Sequence, residues 1–126
     1  MKSLFAIPLL ALALMSFQAN AVCLYITDSF TGIVPGDSEQ TAHGPFTVTS
    51  SGGCSHANIE TRISALGVGR APELYIERLV SGSWKRETFG ISNSASYNGP
   101  LGSYRVRVKN NEPLPKAYSG TARYGR

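Results

Sequence analysis

The chain has 126 residues, of which 42% are hydrophobic and 16% are charged, and its formal net charge is +4 at pH 7. This length limits the chain to one domain of the usual size, ~100–200 residues. The ample apolar content and the low charge exclude an intrinsically disordered chain, which combines few apolar residues with a high net charge.

The first 21 residues have the three-part pattern of a secretory signal peptide. Lys2 gives a positive start, Leu4 to Met15 form an apolar run, and Ala19-Asn20-Ala21 matches an A-x-A cleavage site. The apolar run is too short to cross ~30 Å of hydrocarbon, which argues against a transmembrane helix. We therefore expect residues 1–21 to be removed. Residues 22–126 should form a single domain without a transmembrane segment, periplasmic or secreted from a bacterial cell.

Both cysteines, Cys23 and Cys54, lie in the predicted mature chain and lack the C-x-x-C spacing of redox and metal sites. In an oxidising compartment such a pair is far more often structural than catalytic. We predict a disulfide bond between Cys23 and Cys54. It would close a loop of roughly 30 residues and stabilise the fold by ~3 kcal/mol or somewhat more in the chain-entropy model.

Seven short apolar runs, alternating or β-branched, follow in chain order, and no stretch of the predicted mature chain holds apolar residues at helical spacing for three turns. The runs cover residues 22–27, 46–49, 59–65, 74–80, 84–89, 104–109 and 118–124. Ser81-Gly82-Ser83 indicates a hairpin turn, because glycine accepts positive φ angles. The pattern predicts an all-β fold, an antiparallel β-sandwich of the jelly-roll or immunoglobulin-like type with seven to eight short strands. A small β-barrel is the alternative.

The polar stretch Thr31–Gly44 separates the first two runs, and we interpret it as a long loop. Loops of this length in small domains are often functional. A periplasmic inhibitor or immunity-type protein would insert such a loop into the cleft of a partner protein. This is the alternative function that the sequence suggests.

Three motifs in residues 71–124 resemble the bacterial pre-peptidase C-terminal domain. They are Pro72-Glu73-Leu74-Tyr75-Ile76, the G-x-Y-x-V-x-V strand Gly102-Ser103-Tyr104-Arg105-Val106-Arg107-Val108, and Tyr118-Ser119-Gly120-Thr121-Ala122. The chain departs from the family at Glu73, where the family prefers aspartate. The resemblance implies a jelly-roll-like β-sandwich of the kind found as an accessory binding module in secreted proteins.

The basic residues are concentrated in the second part of the chain. Residues 22–60 contain four acidic residues and no Lys or Arg, whereas residues 61–126 contain eleven basic and four acidic residues. Arg105, Arg107 and Lys109 alternate along one predicted strand and therefore share one face. Arg123 would extend this row into a patch if its strand pairs nearby, and Trp84 offers a ring for stacking.

Three interpretations of this basic face remain open. It could bind an anionic glycan or an acidic protein. It could be a solvated outer face of the sandwich. The acidic residues of the first part of the chain could also neutralise it across the sheet. The sequence carries no recognised nucleic-acid-binding motif, so we expect no specific nucleic-acid partner.

The sequence contains no recognisable catalytic constellation. His43 and His56, with Asp37 or Glu39, have no metal-ligand spacing, and neither G-x-S-x-G nor H-E-x-x-H is present. We therefore expect no metal, no cofactor and no enzymatic activity. The leading hypothesis is a small, non-catalytic binding protein of the bacterial cell envelope that recognises an anionic glycan or an acidic protein through the basic strand face.

Overall fold

The computed structural model of the protein describes residues 22–88 and 93–126. The predicted signal peptide, residues 1–21, and Phe89 at the end of the fifth apolar run lie outside the described residues. Eight strands are present in the described ranges: β1 Tyr25–Val34, β2 Ser38–Val48, β3 Ala57–Ala65, β4 Glu73–Val80, β5 Ser83–Arg86, β6 Ser94–Gly99, β7 Gly102–Asn110 and β8 Lys116–Gly125. A single turn of 3-10 helix, Ser50–Gly52, lies between β2 and β3.

The strands form two four-stranded antiparallel sheets, one with the order β1-β8-β3-β6 and the other with the order β2-β7-β4-β5. Consecutive strands alternate between the sheets, apart from the β4–β5 hairpin, and this is the strand arrangement of a jelly roll. The prediction of an antiparallel β-sandwich is confirmed. Within the described ranges, no helix has the length and apolar content needed to cross a membrane.

The antiparallel order divides the molecule into two ends. The β1–β2, β3–β4 and β7–β8 connections lie at one end, which we call the loop end. The β2–β3 connection and the starts of β1 and β3 lie at the opposite end. The outer face of each sheet therefore extends from the loop end to the opposite end.

The core lies between the sheets and follows the alternation of the strands. In β7, Tyr104, Val106 and Val108 are fully buried, while the side chains between them lie on the outer face. The other large, fully buried apolar side chains are Val34, Val48, Ile59, Leu74, Ile76 and Tyr118. Burying one such side chain is worth ~1.5–3 kcal/mol, so this alternation accounts for the register of each strand.

The predicted disulfide between Cys23 and Cys54 is present. We call the end of the sandwich where it lies the disulfide end. There the backbone amide of Leu24 donates to the Gly52 carbonyl at 3.1 Å, and that of Arg126 donates to the Leu24 carbonyl at 2.8 Å. Leu24 and Arg126, near the start and the end of the described residues, are therefore both held at the disulfide end.

The interpretation of Thr31–Gly44 as a long loop is wrong. Thr31 to Val34 complete β1, Ser38 to Gly44 belong to β2, and only residues 35–37 form the connection. β1 and β2 are edge strands, so their outward residues can be polar without loss of burial. This polarity concealed both strands in the sequence.

Two turns show why particular residues are needed. Ser81 and Gly82 both have positive φ in the β4–β5 hairpin, as a tight two-residue turn requires, and the predicted turn is confirmed. Gly36 lies against the backbone carbonyl of Pro113, where a side chain would collide. Gly36 thus allows the β1–β2 and β7–β8 connections to touch.

Candidate functional site

The predicted basic row lies on the outer face of the β2-β7-β4-β5 sheet and faces carboxylates on both neighbouring strands. The guanidinium of Arg105 is 2.7 Å from Glu77 of β4. Arg107 lies between Glu77, at 3.6 Å, and Glu39 of β2, at 3.8 Å. Opposite charges on neighbouring strands are mildly stabilising. The acidic residues therefore compensate Arg105 and Arg107 across the sheet.

Two aromatic rings on this face are covered by guanidinium groups. Arg105 lies over the ring of Trp84 at 4.4 Å, and Arg86, which is ion-paired with Glu73, lies over the ring of Tyr75 at 4.1 Å. Trp84 is half-buried on the outer face, where it is held by this cation–π contact. We call Arg86, Arg105 and Arg107 with Glu39, Glu73 and Glu77 the charge ladder.

The charge ladder has one buried donor without an acceptor. Among the described residues, Nε of Arg107 is the only buried side-chain nitrogen or oxygen that makes no hydrogen bond. Other donors of the same group do find partners, since Nη1 donates to the Thr41 hydroxyl at 3.0 Å. Lys109, at the end of the row, is exposed and makes no ion pair within residues 22–88 and 93–126.

Arg123 does not extend the basic row. It lies on β8 in the opposite sheet, where it is 4.0 Å from Glu60 and stacks over the ring of Tyr25 at 4.2 Å. The condition for a patch, that the strand of Arg123 pairs near Arg105 and Arg107, is therefore not met. β7 and β8 follow each other in the sequence but lie in different sheets of the jelly roll. The sequence alone did not indicate this separation.

The loop end is held together by one buried amide, that of Asn110. Its Nδ2 donates to the carbonyls of Leu114 at 2.7 Å and Pro35 at 3.2 Å, and its Oδ1 accepts from the backbone amide of Glu112 at 3.0 Å. Asp37 adds a backbone hydrogen bond to the Glu112 carbonyl at 2.9 Å. The β1–β2 and β7–β8 connections are thereby fixed to the end of β7.

Apolar side chains are exposed around this end. Ile33 of β1 is opposite Ala117 of β8, and the backbone amide of Leu66 donates to the Ala117 carbonyl at 3.0 Å. Ile33 and Leu66 are 64% and 54% exposed and each is paired with Ala117. Val68 and Leu114 are exposed in the β3–β4 and β7–β8 connections of the same end, and we call these four exposed residues the apolar rim.

A cleft of about 740 Å³ opens beside the apolar rim. It lies between the β3–β4 connection and the segment that joins β7 to β8. Its walls carry both charged and amide side chains, among them Arg70, Lys109, Asn111 and Lys116. The sequence did not predict this cleft, because its walls come from segments that are far apart in the chain.

A second polar group lies where β1 and β2 meet at the edge of the sandwich. The hydroxyl of Tyr124 donates to Asp28 at 2.5 Å, and Nε2 of His43 is 3.3 Å from the same carboxylate oxygen. Burial, reinforced by the hydrogen bond to Asp28, raises the pKa of Tyr124 to about 12. Tyr124 is therefore a hydrogen-bond donor at neutral pH rather than a nucleophile.

The histidines do not come together as a metal site. His43 lies in this edge group, whereas the exposed His56 lies before β3 and contacts the Ser55 hydroxyl at 2.9 Å. Within the described residues, no group of three or more His, Cys, Asp and Glu side chains could hold a metal ion.

Comparison with known proteins adds evidence on the fold. No protein-family model and no curated protein matches the chain, so the resemblance to pre-peptidase C-terminal domains stays a prediction. Among solved structures, the chain is similar to the Yersinia pseudotuberculosis-derived mitogen, with 19% identity and a TM-score of 0.57, over 79% of this chain and 86% of that one. It is also similar to Aeromonas hydrophila PliG, a periplasmic inhibitor of g-type lysozyme, with 9% identity and a TM-score of 0.51, over 78% and 85% of the two chains. At these identities the likeness shows the fold alone.

Proposed function

We propose that the protein is an extracytoplasmic, non-catalytic binding protein that docks onto a partner protein through its loop end. The observation that carries this proposal is the apolar rim, of which Leu114 lies on a connection fixed by Asn110. Ile33, Leu66, Val68 and Leu114 are exposed around one end of the sandwich, and buried Asn110 holds two of the connections in place.

The physical argument rests on exposed apolar area and on rigidity. Apolar side chains grouped on a surface commonly mark a site of interaction with another macromolecule. A rigid support lowers the conformational entropy that is lost on binding. In this proposal the inhibitor-type interaction uses the apolar rim, which shares only Ile33 with the stretch 31–44 that the sequence suggested.

Two further observations support this proposal. The disulfide between Cys23 and Cys54 is compatible with an oxidising compartment outside the cytoplasm. PliG, which has a similar fold, is a periplasmic lysozyme inhibitor, so this fold can serve protein-directed inhibition. We therefore take cell-wall hydrolases, with g-type lysozyme first, as the partner class to test.

The test measures inhibition of purified lysozymes of different types on peptidoglycan by residues 22–126. We expect stoichiometric inhibition of at least one enzyme, and a loss of about tenfold or more in affinity for the double variant Leu66→Ser/Val68→Ser, because burial of one large apolar side chain is worth ~1.5–3 kcal/mol.

The matched control is Leu79→Ser, which removes an exposed leucine of β4 at the disulfide end. This variant should inhibit like the unchanged protein. Equal inhibition by Leu66→Ser/Val68→Ser and by the unchanged protein would rule out the apolar rim as the docking surface. No inhibition of any enzyme in the panel would count against the proposed partner class.

A second candidate function is recognition of an anionic glycan or an acidic protein through the outer face of the β2-β7-β4-β5 sheet. The stacked pairs Arg105–Trp84 and Arg86–Tyr75 favour it, since they place cations beside aromatic rings. The carboxylates of the charge ladder oppose it, because they already neutralise the arginines. The docking proposal is therefore the stronger of the two.

A further inference from the structure

The cleft at the loop end has walls from four parts of the chain. Ser64 lies near the end of β3, Arg70 belongs to the β3–β4 connection, and Asn93 precedes β6. Lys109 and Asn111 come from the end of β7 and the residue after it. The volume of about 740 Å³ is within the range of ~300–1,000 Å³ typical of small-molecule sites.

The acidic and basic side chains of the cleft differ in whether they have an ion-pair partner. Both carboxylates in its walls already have cationic partners, Glu73 in Arg86 and Glu112 in Lys116. By contrast, the side chains of Arg70 and Lys109 are exposed and form no ion pair within residues 22–88 and 93–126. Lys109 is in register with Glu39 and Glu73 but forms no ion pair with them among the described residues, so the cations of the cleft that lack an ion pair come from two walls.

Uncharged hydrogen-bonding groups accompany these two cations. The side chains of Ser64, Asn93 and Asn111 are exposed, and within the described parts of the chain they make no hydrogen bonds. Each amide supplies both donors and an acceptor, and the hydroxyl supplies both kinds of group. Such groups can bind ligand hydroxyls, whereas the cations bind a carboxylate through charge-assisted hydrogen bonds.

From this arrangement we propose that the cleft binds an acidic saccharide, a short chain of sugar units that carry carboxylates. The carboxylate lies between Arg70 and Lys109, and the sugar hydroxyls contact Ser64, Asn93 and Asn111. The lining offers only small apolar surfaces, from Ala65, Ala71 and Pro72, so it has no deep pocket for the apolar side chain of a peptide. The amide-rich walls favour a saccharide over an acidic protein segment.

This site is distinct from the docking surface of the proposed function. The two sites share the β3–β4 and β7–β8 connections, but none of the four apolar rim residues lines the cleft, and of the residues that carry the docking proposal only Asn110 does. Asn110 itself is fully buried and its amide is already hydrogen-bonded. The two proposals can therefore fail or succeed separately.

The experiment titrates trigalacturonic acid into ¹⁵N-labelled residues 22–126 at low salt, with maltotriose as the uncharged control. We expect amide shifts confined to residues 64–73, 93 and 109–116 with trigalacturonic acid, and none with maltotriose. Because the interaction is ionic, the affinity should fall as the salt concentration rises.

Two single variants assign the site, Arg70→Gln and Lys109→Gln, and each should weaken trigalacturonic acid binding about tenfold. The matched control Arg123→Gln removes a cation from the outer face of the opposite sheet and should bind as before. The Leu66→Ser/Val68→Ser variant should also bind as before, which separates this site from the docking surface.

Three outcomes would overturn the proposal. They are the absence of trigalacturonic acid binding at low salt, binding that is unchanged in both Arg70→Gln and Lys109→Gln, and equal or tighter binding of a hexaglutamate peptide. The last outcome would show that the cleft recognises an acidic protein segment. Circular dichroism of each variant establishes that the fold is intact before the titrations are compared.

Discussion

Asn110 is the single residue on which the shape of the loop end most depends. Its side chain is fully buried, and it satisfies backbone groups of two connections that have no strand partner of their own. A buried carbonyl or amide that loses its partner costs ~1–3 kcal/mol. One side chain at this position therefore fixes the β1–β2 and β7–β8 connections, the second of which carries Leu114 of the apolar rim and Asn111 of the cleft.

We predict that Asn110→Ala lowers the free energy of unfolding by ~1–3 kcal/mol, because it removes the hydrogen bonds that hold the β1–β2 and β7–β8 connections to the end of β7. Exchange of the hydrogen-bonded amides of Asp37 and Glu112 should become faster while the sheets stay protected. Urea unfolding and exchange measured by NMR test this. The exposed neighbour serves as the control, and Asn111→Ala should change stability by less than ~0.5 kcal/mol. Similar effects of the two variants would contradict the assigned role of Asn110.

At the scale of the strands, the charge ladder determines how the basic row behaves. Glu77 of β4 is within ion-pair distance of both Arg105 and Arg107 of β7, so one carboxylate compensates two cations. These side chains are only 14–21% exposed, so they are weakly screened by solvent. Glu77 therefore both supports the fold and lowers the positive charge that the face presents.

We predict that Glu77→Gln elutes from heparin at a higher salt concentration than the unchanged protein, because it removes the carboxylate paired with Arg105 and one of the two paired with Arg107. The matched control is Glu60→Gln, which changes the net charge equally but frees only Arg123 on the opposite sheet. The shift should be larger for Glu77→Gln. Equal shifts would mean that retention follows net charge and that the charge ladder has no role.

The success of sequence-based prediction differed among the strands for physical reasons. β7 alternates Val with Arg and Lys, so its sequence indicates both the buried face and the solvated face. β6 consists of Ser, Ala, Tyr, Asn and Gly, lies at a sheet edge and buries only Ala95, so it gave no apolar run. The sequence therefore did not predict β6. It also underestimated the lengths of β1 and β2, because their outward residues are polar.

The candidate sites were harder to predict than the strands, because they depend on pairing between distant segments. The row of Arg105, Arg107 and Lys109 was identified correctly as one face of one strand. Its carboxylate partners and the separation of Arg123 follow only from the order of strands in the two sheets. The cleft likewise joins Arg70 to Lys109 through the neighbouring ends of β4 and β7, which no local pattern records.

At the scale of the whole molecule, the disulfide and the loop end lie at opposite ends of the sandwich. Cys23 and Cys54 are separated by 31 positions in the sequence, and their bond fixes the start of β1 to the β2–β3 connection. A loop of this length corresponds to ~3–4 kcal/mol in the chain-entropy model. This stabilisation acts on the global fold and not on the geometry of the loop end.

We predict that Cys23→Ser/Cys54→Ser lowers the free energy of unfolding by ~3–4 kcal/mol and leaves the NMR shifts of residues 66–72 and 109–116 unchanged. Denaturant unfolding and ¹⁵N spectra of the two proteins provide the measurement. A side chain at Gly125 would collide with both sulfur atoms, so Gly125 lies beside the disulfide and local shifts are expected there. Large changes at the loop end would show that the two ends are coupled through the core.

The position of Leu24 and Arg126 bears directly on how binding to this protein should be assayed. Leu24 and Arg126 are hydrogen-bonded to each other at the disulfide end, so a tag placed after Arg126 holds the molecule on a sensor surface with the cleft and the apolar rim towards the solution. Amine coupling would instead attach the molecule to the surface through its lysine side chains. Residues 22–126 contain only three lysines, and two of them, Lys109 and Lys116, line the cleft. Immobilisation through lysine would therefore block the surface under test and give a false negative result.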